Sequence, residues 1–387
     1  MKTVGIVAEF NPFHNGHAYL LEQVRKSGAD KIVVVMSGAA VQRGETACCS
    51  KYFRAQAAIK NGADLVVELS APYSCSSAKT FADSSVQILS QLSIDTLAFG
   101  SEYPDKDKLL EAAKTLDELE DSELLRSLVA DGASYPSAIE QAATEKIGEG
   151  GAKILASPNS TLAVEYIRAL KRHCPDTDIM PIKRIGMNHN WTNEKIDRTS
   201  HETIESGFAC GSFLRENPEF TEYIPKGFAP PAPLYPHAAD SVLFYHLLTA
   251  DKQRLMKLPE MSETVADRII KAAENSPNDY ESLLLKIKSK NVTLARIRRC
   301  VLHLALGIEK SDILPVPYIR ILAFNERGAQ ILRNAKGNIP ISTSLKKLES
   351  TSENAFRISQ LENRAARLMQ LNTGVLENEY SVKITMQ

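Results

Sequence analysis

Over the first half of the chain, short and nearly unbroken apolar runs alternate with longer stretches in which apolar residues return every three or four positions. Val4, Ile6 and Val7 make one such run; Lys31 to Met36, Leu65 to Leu69, Thr96 to Phe99 and Asp178 to Lys183 make four more. All five read as strands, and the first two have the apolar content of strands covered on both faces. Between them, Ala18 to Arg25, Lys51 to Lys60 and Phe81 to Leu92 have helical spacing. The second of these is opened by the capping residue Ser50 and closed by Asn61-Gly62. Strands that alternate with helices predict a mostly parallel α/β sheet.

The regularity changes twice. Residues 105–150 are acidic, rich in Leu and Ala and helical in pattern, which predicts a helical insertion ending at Gly148, Gly150 and Gly151. Ser157 to Ser160 then opens a helix carrying Leu162, Tyr166 and Leu170, with Pro158 near its first turn. Pro225 to Pro236 holds five prolines and predicts a rigid crossover. The expected organisation is a sheet domain over 1–224 and a mainly helical domain over 225–387. Helices are expected there at Ala238 to Thr249, Ser262 to Asn275, Asp279 to Ser289 and Leu294 to Ile308.

Composition narrows the partners. With a net charge of -1 over 387 residues, the molecule has no global attraction for nucleic acid, so RNA binding requires a local basic face. Lys286, Lys288, Lys290, Arg296, Arg298 and Arg299 supply the candidate, set against the apolar stripe of Leu294, Ile297, Val301, Leu304 and Ile308. An ordinary solvated helix face is the alternative. The six cysteines include no Cys-x-x-Cys pair, which favours reduced thiols over a zinc shell. Met1-Lys2 leads straight into a strand and no apolar run reaches membrane-spanning length, so a cytoplasmic location is expected.

Candidate chemistry follows the first strand. Asn11-Pro12 stops that strand and Asn15-Gly16 starts a helix, so His14 and His17 stand three residues apart at a helix N-terminus. Unpaired backbone N–H groups and the positive dipole end attract phosphate there. A metal pair is the rival for His-x-x-His, but no Cys or carboxylate cluster nearby completes a shell, and no metal ligand is assigned. In open α/β sheets ligands sit at the carboxyl ends of strands. That makes Ser37, Gln42 and Arg43 possible phosphate or substrate contacts, Gly100 a close approach for a flat base, and Arg184 a cation for phosphate. Plainer alternatives exist: a solvated loop for Arg43, a turn for Gly100, a helix cap for Asn159. Cys210 to Arg215 offers backbone N–H groups, the Ser212 hydroxyl and the Arg215 guanidinium at another helix start, or is an exposed surface helix.

His14-Asn15-Gly16-His17 after a first strand resembles the His-x-Gly-His motif of the nucleotidyltransferase superfamily. Glu9 to His17, together with Gln42-Arg43-Gly44 and Gly62 to Leu69, resembles one branch of it, the bacterial tRNA(Met) cytidine acetate ligase family, and the likeness runs through most of the chain. The resemblance implies a Rossmann-like sheet that binds ATP through Val7, Ala8, Glu9, Phe10, Asn11, Pro12, Phe13, His14, Asn15, Gly16, His17, Ala18, Tyr19 and Leu20, joined by Gly100, Asn159 and Arg184. It makes Cys210 to Arg215 a variant second phosphate motif, with Cys and Gly where hydroxyl residues or alanine are usual. It also implies the reaction. Acetate and ATP would give acetyl-adenylate and pyrophosphate, with His14 and His17 stabilising charge. The acetyl group would then pass to the wobble cytidine of elongator tRNA(Met), forming N(4)-acetylcytidine, on an RNA held by the basic helices. Magnesium is expected with the triphosphate. A small-molecule adenylyltransferase and a non-catalytic RNA-binding protein are the two other readings.

Overall fold

The five apolar runs become strands of one sheet; four are largely buried, and the fifth, Asp178–Lys183, lies at the sheet edge with one fully buried residue, Ile179. The computed structural model describes residues 1–130, 135–156, 158–185, 207–235, 237–275, 279–375, 377–384 and 386–387. Its strands are β1 (Thr3–Ala8), β2 (Lys31–Ser37), the small hairpin β3 (Ala40–Val41) and β4 (Glu45–Thr46), then β5 (Leu65–Leu69), β6 (Thr96–Ser101), β7 (Asp178–Lys183), β8 (Ile319–Phe324) and β9 (Ile341–Ser342). The main sheet has the order β7-β6-β1-β2-β5-β8-β9. The five strands from β7 to β5 are parallel, and β8 joins β5 antiparallel. Successive side chains of a strand leave opposite faces, and the two cores follow that alternation. Val33 and Val35 enter one core with Phe81, Leu89 and Tyr166. Ile32, Val34 and Met36 enter the other with Leu21, Val24 and Ala55.

The helices α1 (Asn15–Lys26), α2 (Lys51–Lys60) and α3 (Ala78–Gln91) connect these strands in turn. After β5 the chain crosses back and lays β6 on the far side of β1, so strand order reverses between β1 and β6. A crevice opens at the carboxyl ends of strands where order reverses in this way. The helices α4 (Lys106–Glu120), α5 (Glu123–Ala130) and α6 (Tyr135–Ala156, broken at Gly148) occupy the acidic stretch. They are tied to α7 (Pro158–His173): buried Arg168 binds Asp117 at 2.7 Å, Glu165 at 2.9 Å, and Glu120. None of the helices in the described residues is long and apolar enough to cross a membrane.

Beyond 225 the helices appear near their predicted places, as Ala238–Leu248, Glu263–Glu274, Tyr280–Ile287 and Leu294–Leu306. Two strands and the long helix Glu353–Thr373 were not evident from the apolar pattern, and they carry this part of the chain back onto the sheet. Their seat is a buried charge network. Lys51 of α2 binds Glu362 at 2.9 Å, Glu379 at 2.8 Å, and Glu68 of β5. Arg320 of β8 reaches Glu379 at 2.5 Å and the Tyr52 hydroxyl at 2.7 Å. Buried ions are tolerated only when paired and hydrogen-bonded, and here each ion meets at least one of opposite sign.

Candidate nucleotide site

Both histidines sit where the helix start was expected, and their rings are fixed by backbone. His14 is the N-cap of α1; its Nδ1 accepts from the Gly16 N–H at 3.1 Å. The His14 N–H in turn donates to Nδ1 of His17 at 3.3 Å. A ring nitrogen that accepts an N–H carries no proton, so each neutral imidazole holds its hydrogen on Nε2. The rings stack at 3.7 Å between centroids, 27° apart. Phe10 and Phe13 pack edge-on against each other, and Phe10 lies 4.8 Å from the His17 ring. Phe10 takes a left-handed φ of 49°, a strained turn out of β1 that its ring burial at 1% exposure offsets. The packing holds both rings at one cleft, which His14 and His17 line together.

The cleft they line has two halves. One is bounded by Val7 and Ala8 of β1, Phe99 and Gly100 of β6, Leu20, Tyr19 and Phe208. The other contains Glu9, Gln42, Arg43, Ser212 and Arg215. Val7 and Ala8 are shared with it, as are His14, His17, Tyr166 and Arg184. A Cβ on Gly100 would stand 3.3 Å from Cγ of Arg184, so a bare backbone here leaves room for the aliphatic stem of that arginine. The second motif is bolted to the first. Arg215 donates to the Asn11 carbonyl at 2.6 Å, and Asn15 donates to the carbonyls of Gly207 and Glu222 at 3.2 and 3.1 Å. Gly211 faces that same Asn11 carbonyl, which a Cβ would meet at 3.1 Å, and this close approach suits glycine. Glu9 accepts the Gln42 N–H at 2.7 Å. Burial pushes its carboxyl above the usual range, opposed by that hydrogen bond and by Arg215 and Arg43.

Two expectations change. Ser37 is fully buried and lines neither half; its carbonyl instead accepts from Arg54 at 3.0 Å. The end of β2 is closed by Glu362, which accepts the Ala39 N–H at 2.8 Å and the Ala71 N–H at 2.7 Å, so the carboxyl-end rule does not apply there. The six basic residues do not form one open strip. Lys286, Lys288 and Lys290 are exposed, but Arg298 pairs with Glu45 and Glu281, Arg299 with Glu260, and Arg296 donates to the Glu260 carbonyl. Asn159 lies in the first turn of α7, and its side chain is outside the described residues. Two contributors went unnoticed in the sequence: Tyr166, expected only as helix packing, and buried Arg54, which binds the Glu9, Ser37 and Gly38 carbonyls. A lone Arg within a helical repeat carries no local sign of that role. Among the described residues no three His, Cys, Asp or Glu side chains gather as a metal site.

A parallel sheet with its crevice at the switch point and a His-x-Gly-His helix start defines a nucleotidyltransferase. The sequence model of the HIGH Nucleotidyl Transferase family matches residues 1–381. More narrowly, the chain belongs to the tRNA(Met) cytidine acetate ligase family. It is 31% identical to the protein of that name from Staphylococcus saprophyticus, over 99% of each chain. It is 32% identical to the one from Leuconostoc mesenteroides, over 96% of this chain and 95% of the relative. The crystal structure of Thermotoga maritima TmcAL bound with alpha-thio ATP superposes with a TM-score of 0.85 at 25% identity, covering all of both chains. Its apo form gives 0.86 at 26%.

Proposed function

We propose that this protein is an ATP-dependent acetate ligase that forms acetyl-adenylate and transfers the acetyl group to the wobble cytidine of elongator tRNA(Met) in the cytoplasm. The observation that carries the proposal is the pair of imidazoles whose Nδ1 atoms are committed to backbone amides within a cleft at the switch point. With protons on Nε2, both rings are suited to donate to phosphate oxygens.

An acetate oxygen attacks the α-phosphorus, the bond to the β-phosphate breaks, and pyrophosphate leaves. His14, His17 and Arg184 stabilise charge that builds on the phosphate oxygens as that bond lengthens; the N–H groups of Gly16, His17 and Ala18 are already taken by His14. The half of the cleft with Gly100 and Tyr19 suits the base and ribose, and the half with Arg43, Ser212 and Arg215 suits phosphates and acetate. In the second step the exocyclic amine attacks the acetyl carbonyl, AMP departs and the nitrogen loses a proton. The three exposed lysines, Lys286, Lys288 and Lys290, are the cations for the RNA backbone.

The test is to incubate the protein with ATP and radiolabelled acetate, with and without bulk tRNA. Acetate-dependent pyrophosphate exchange and label in tRNA are expected. Absence of both overturns the proposal, and exchange supported by a phosphate-bearing small molecule instead of acetate would assign a small-molecule adenylyltransferase.

A further inference from the structure

A groove opens off the phosphate half of the cleft. It shares Arg43, Ser212 and Arg215 with that half, and none of Tyr19, Gly100 or Phe208 from the other half lines it. From the shared residues it runs past the β3–β4 hairpin and the crossover prolines to the helices Ala238–Leu248 and Tyr280–Ile287. We infer that this groove is the approach by which a single-stranded RNA segment brings one unstacked base to the acyl-adenylate. The inference rests on the acetate-ligase reading above and assigns a site to its second substrate.

Continuity makes the first case. ATP occupies the nucleotide half, so a macromolecular acceptor must arrive from another side, and whatever lies in this groove ends beside Arg43, Ser212 and Arg215. Charge makes the second. The lining carries three arginines against four carboxylates, a nearly neutral interior that does not favour a polyanionic backbone. It does suit an uncharged base, whose edge can exchange hydrogen bonds with such groups and whose faces can pack on the apolar rings of Pro230, Pro231 and Pro233. The walls are held in place for that role. Arg298 bridges Glu45 of the hairpin to Glu281 at the start of the helix Tyr280–Ile287, and Asn372 accepts the Ala239 N–H at 2.8 Å. The phosphates have their cations outside. Glu281 lines the groove, and Lys286 follows five residues later, about 8 Å along a helix that rises ~1.5 Å per residue. Lys288 and Lys290 continue beyond it, and all three lysines are exposed.

Two measurements on the full-length protein test this. The first compares acetate-dependent pyrophosphate exchange with tRNA acetylation in Asp240→Trp and Glu281→Trp, both of which fill the groove at a distance from the nucleotide cleft. Exchange is expected to stay within about twofold of the unsubstituted protein and RNA acetylation to fall by about tenfold or more. The second needs no variant. Cys48 lines the groove but neither half of the cleft, whereas Cys174 lines none of them. With an ATP analogue bound, tRNA should slow N-ethylmaleimide labelling of Cys48 by about tenfold and leave Cys174 unchanged, an occupancy effect set by how much of the groove is filled. Acetylation at the original rate in both variants, or Cys48 labelling indifferent to tRNA, overturns the assignment. Failure of the unsubstituted protein to acetylate any RNA would instead remove the functional reading itself, so the two failures are distinct.

Discussion

His14 has two jobs, and one pair of substitutions separates them. Its Nδ1 caps α1 by accepting the Gly16 N–H at 3.1 Å, while its ring lines both halves of the cleft. Asn caps helices as well as any residue and presents an acceptor of similar reach, but it has nothing in place of Nε2. His14→Asn should therefore keep the cap, which is worth about 1 kcal/mol, and His14→Ala should lose it. Both variants lose the ring stacked on His17 at 3.7 Å, so their difference isolates the cap. Both should lose the donor to the phosphates, at a cost of about 3–4 kcal/mol, or 10²–10³ in rate. The stability difference would be nearly invisible in a melting curve. Unfolding entropy of about 2 cal/mol/K per residue makes 1 kcal/mol only about 1 °C for a chain this long. Denaturant titration at 25 °C is the appropriate assay, paired with acetate-dependent pyrophosphate exchange. Exchange by His14→Asn above a tenth of the original rate, or equal stability of the two variants, would refute the division of labour.

Ser37 is buried with no hydrogen-bond partner for its hydroxyl among the described residues, so Ser37→Ala should leave exchange unchanged and stability equal or higher; a loss of activity would return Ser37 to the site. The Glu362 carboxyl is pushed up to about 7 by burial, with Glu68 and Glu379 adding to the effect and Lys51 opposing it. A carboxyl raised from 4.5 contributes stability that is complete below about 4.5 and lost as pH rises through about 7. The stability of the protein relative to Glu362→Gln should thus fall by about 3 kcal/mol over that window and stay flat above it; a difference that grows with pH would contradict this. Replacing Lys286, Lys288 and Lys290 together by Glu should weaken tRNA binding and flatten its salt dependence by about 0.7 per lost phosphate contact, with exchange unaltered; an unchanged salt slope places the RNA elsewhere.

Elements whose signal is local were legible in the sequence. Ile32 to Val35 can hardly be anything but a buried strand, and Asn15-Gly16 with helical spacing behind it places both histidines at a helix start. The strand Ile319–Phe324 was hidden by Arg320, a charge in its centre that is tolerated only because Glu379 and Tyr52, distant in sequence, lie beside it. Ser37 followed a rule about strand ends that holds at the switch point and fails at β2, where a helix more than 300 residues later supplies Glu362. The arginines of the helix Leu294–Leu306 looked like a free basic face for the same reason: their partners Glu45 and Glu260 belong to other elements. Of the longer resembling stretch, Asp64 turned out to be framework. It accepts the Ile32 N–H at 2.8 Å and binds Arg25 at 2.7 Å. Spacing within a motif reports chemistry; what closes or pairs a residue from afar is set by tertiary packing.

The central claim is that a triphosphate seats against two imidazoles whose protons are on Nε2. A crystal structure with a nonhydrolysable ATP analogue tests it most directly. The expected result is phosphate oxygens within hydrogen-bonding distance of Nε2 of both His14 and His17, with the base beside Gly100. Phosphates bound away from both rings, or rings turned so that Nδ1 faces the nucleotide, would contradict it.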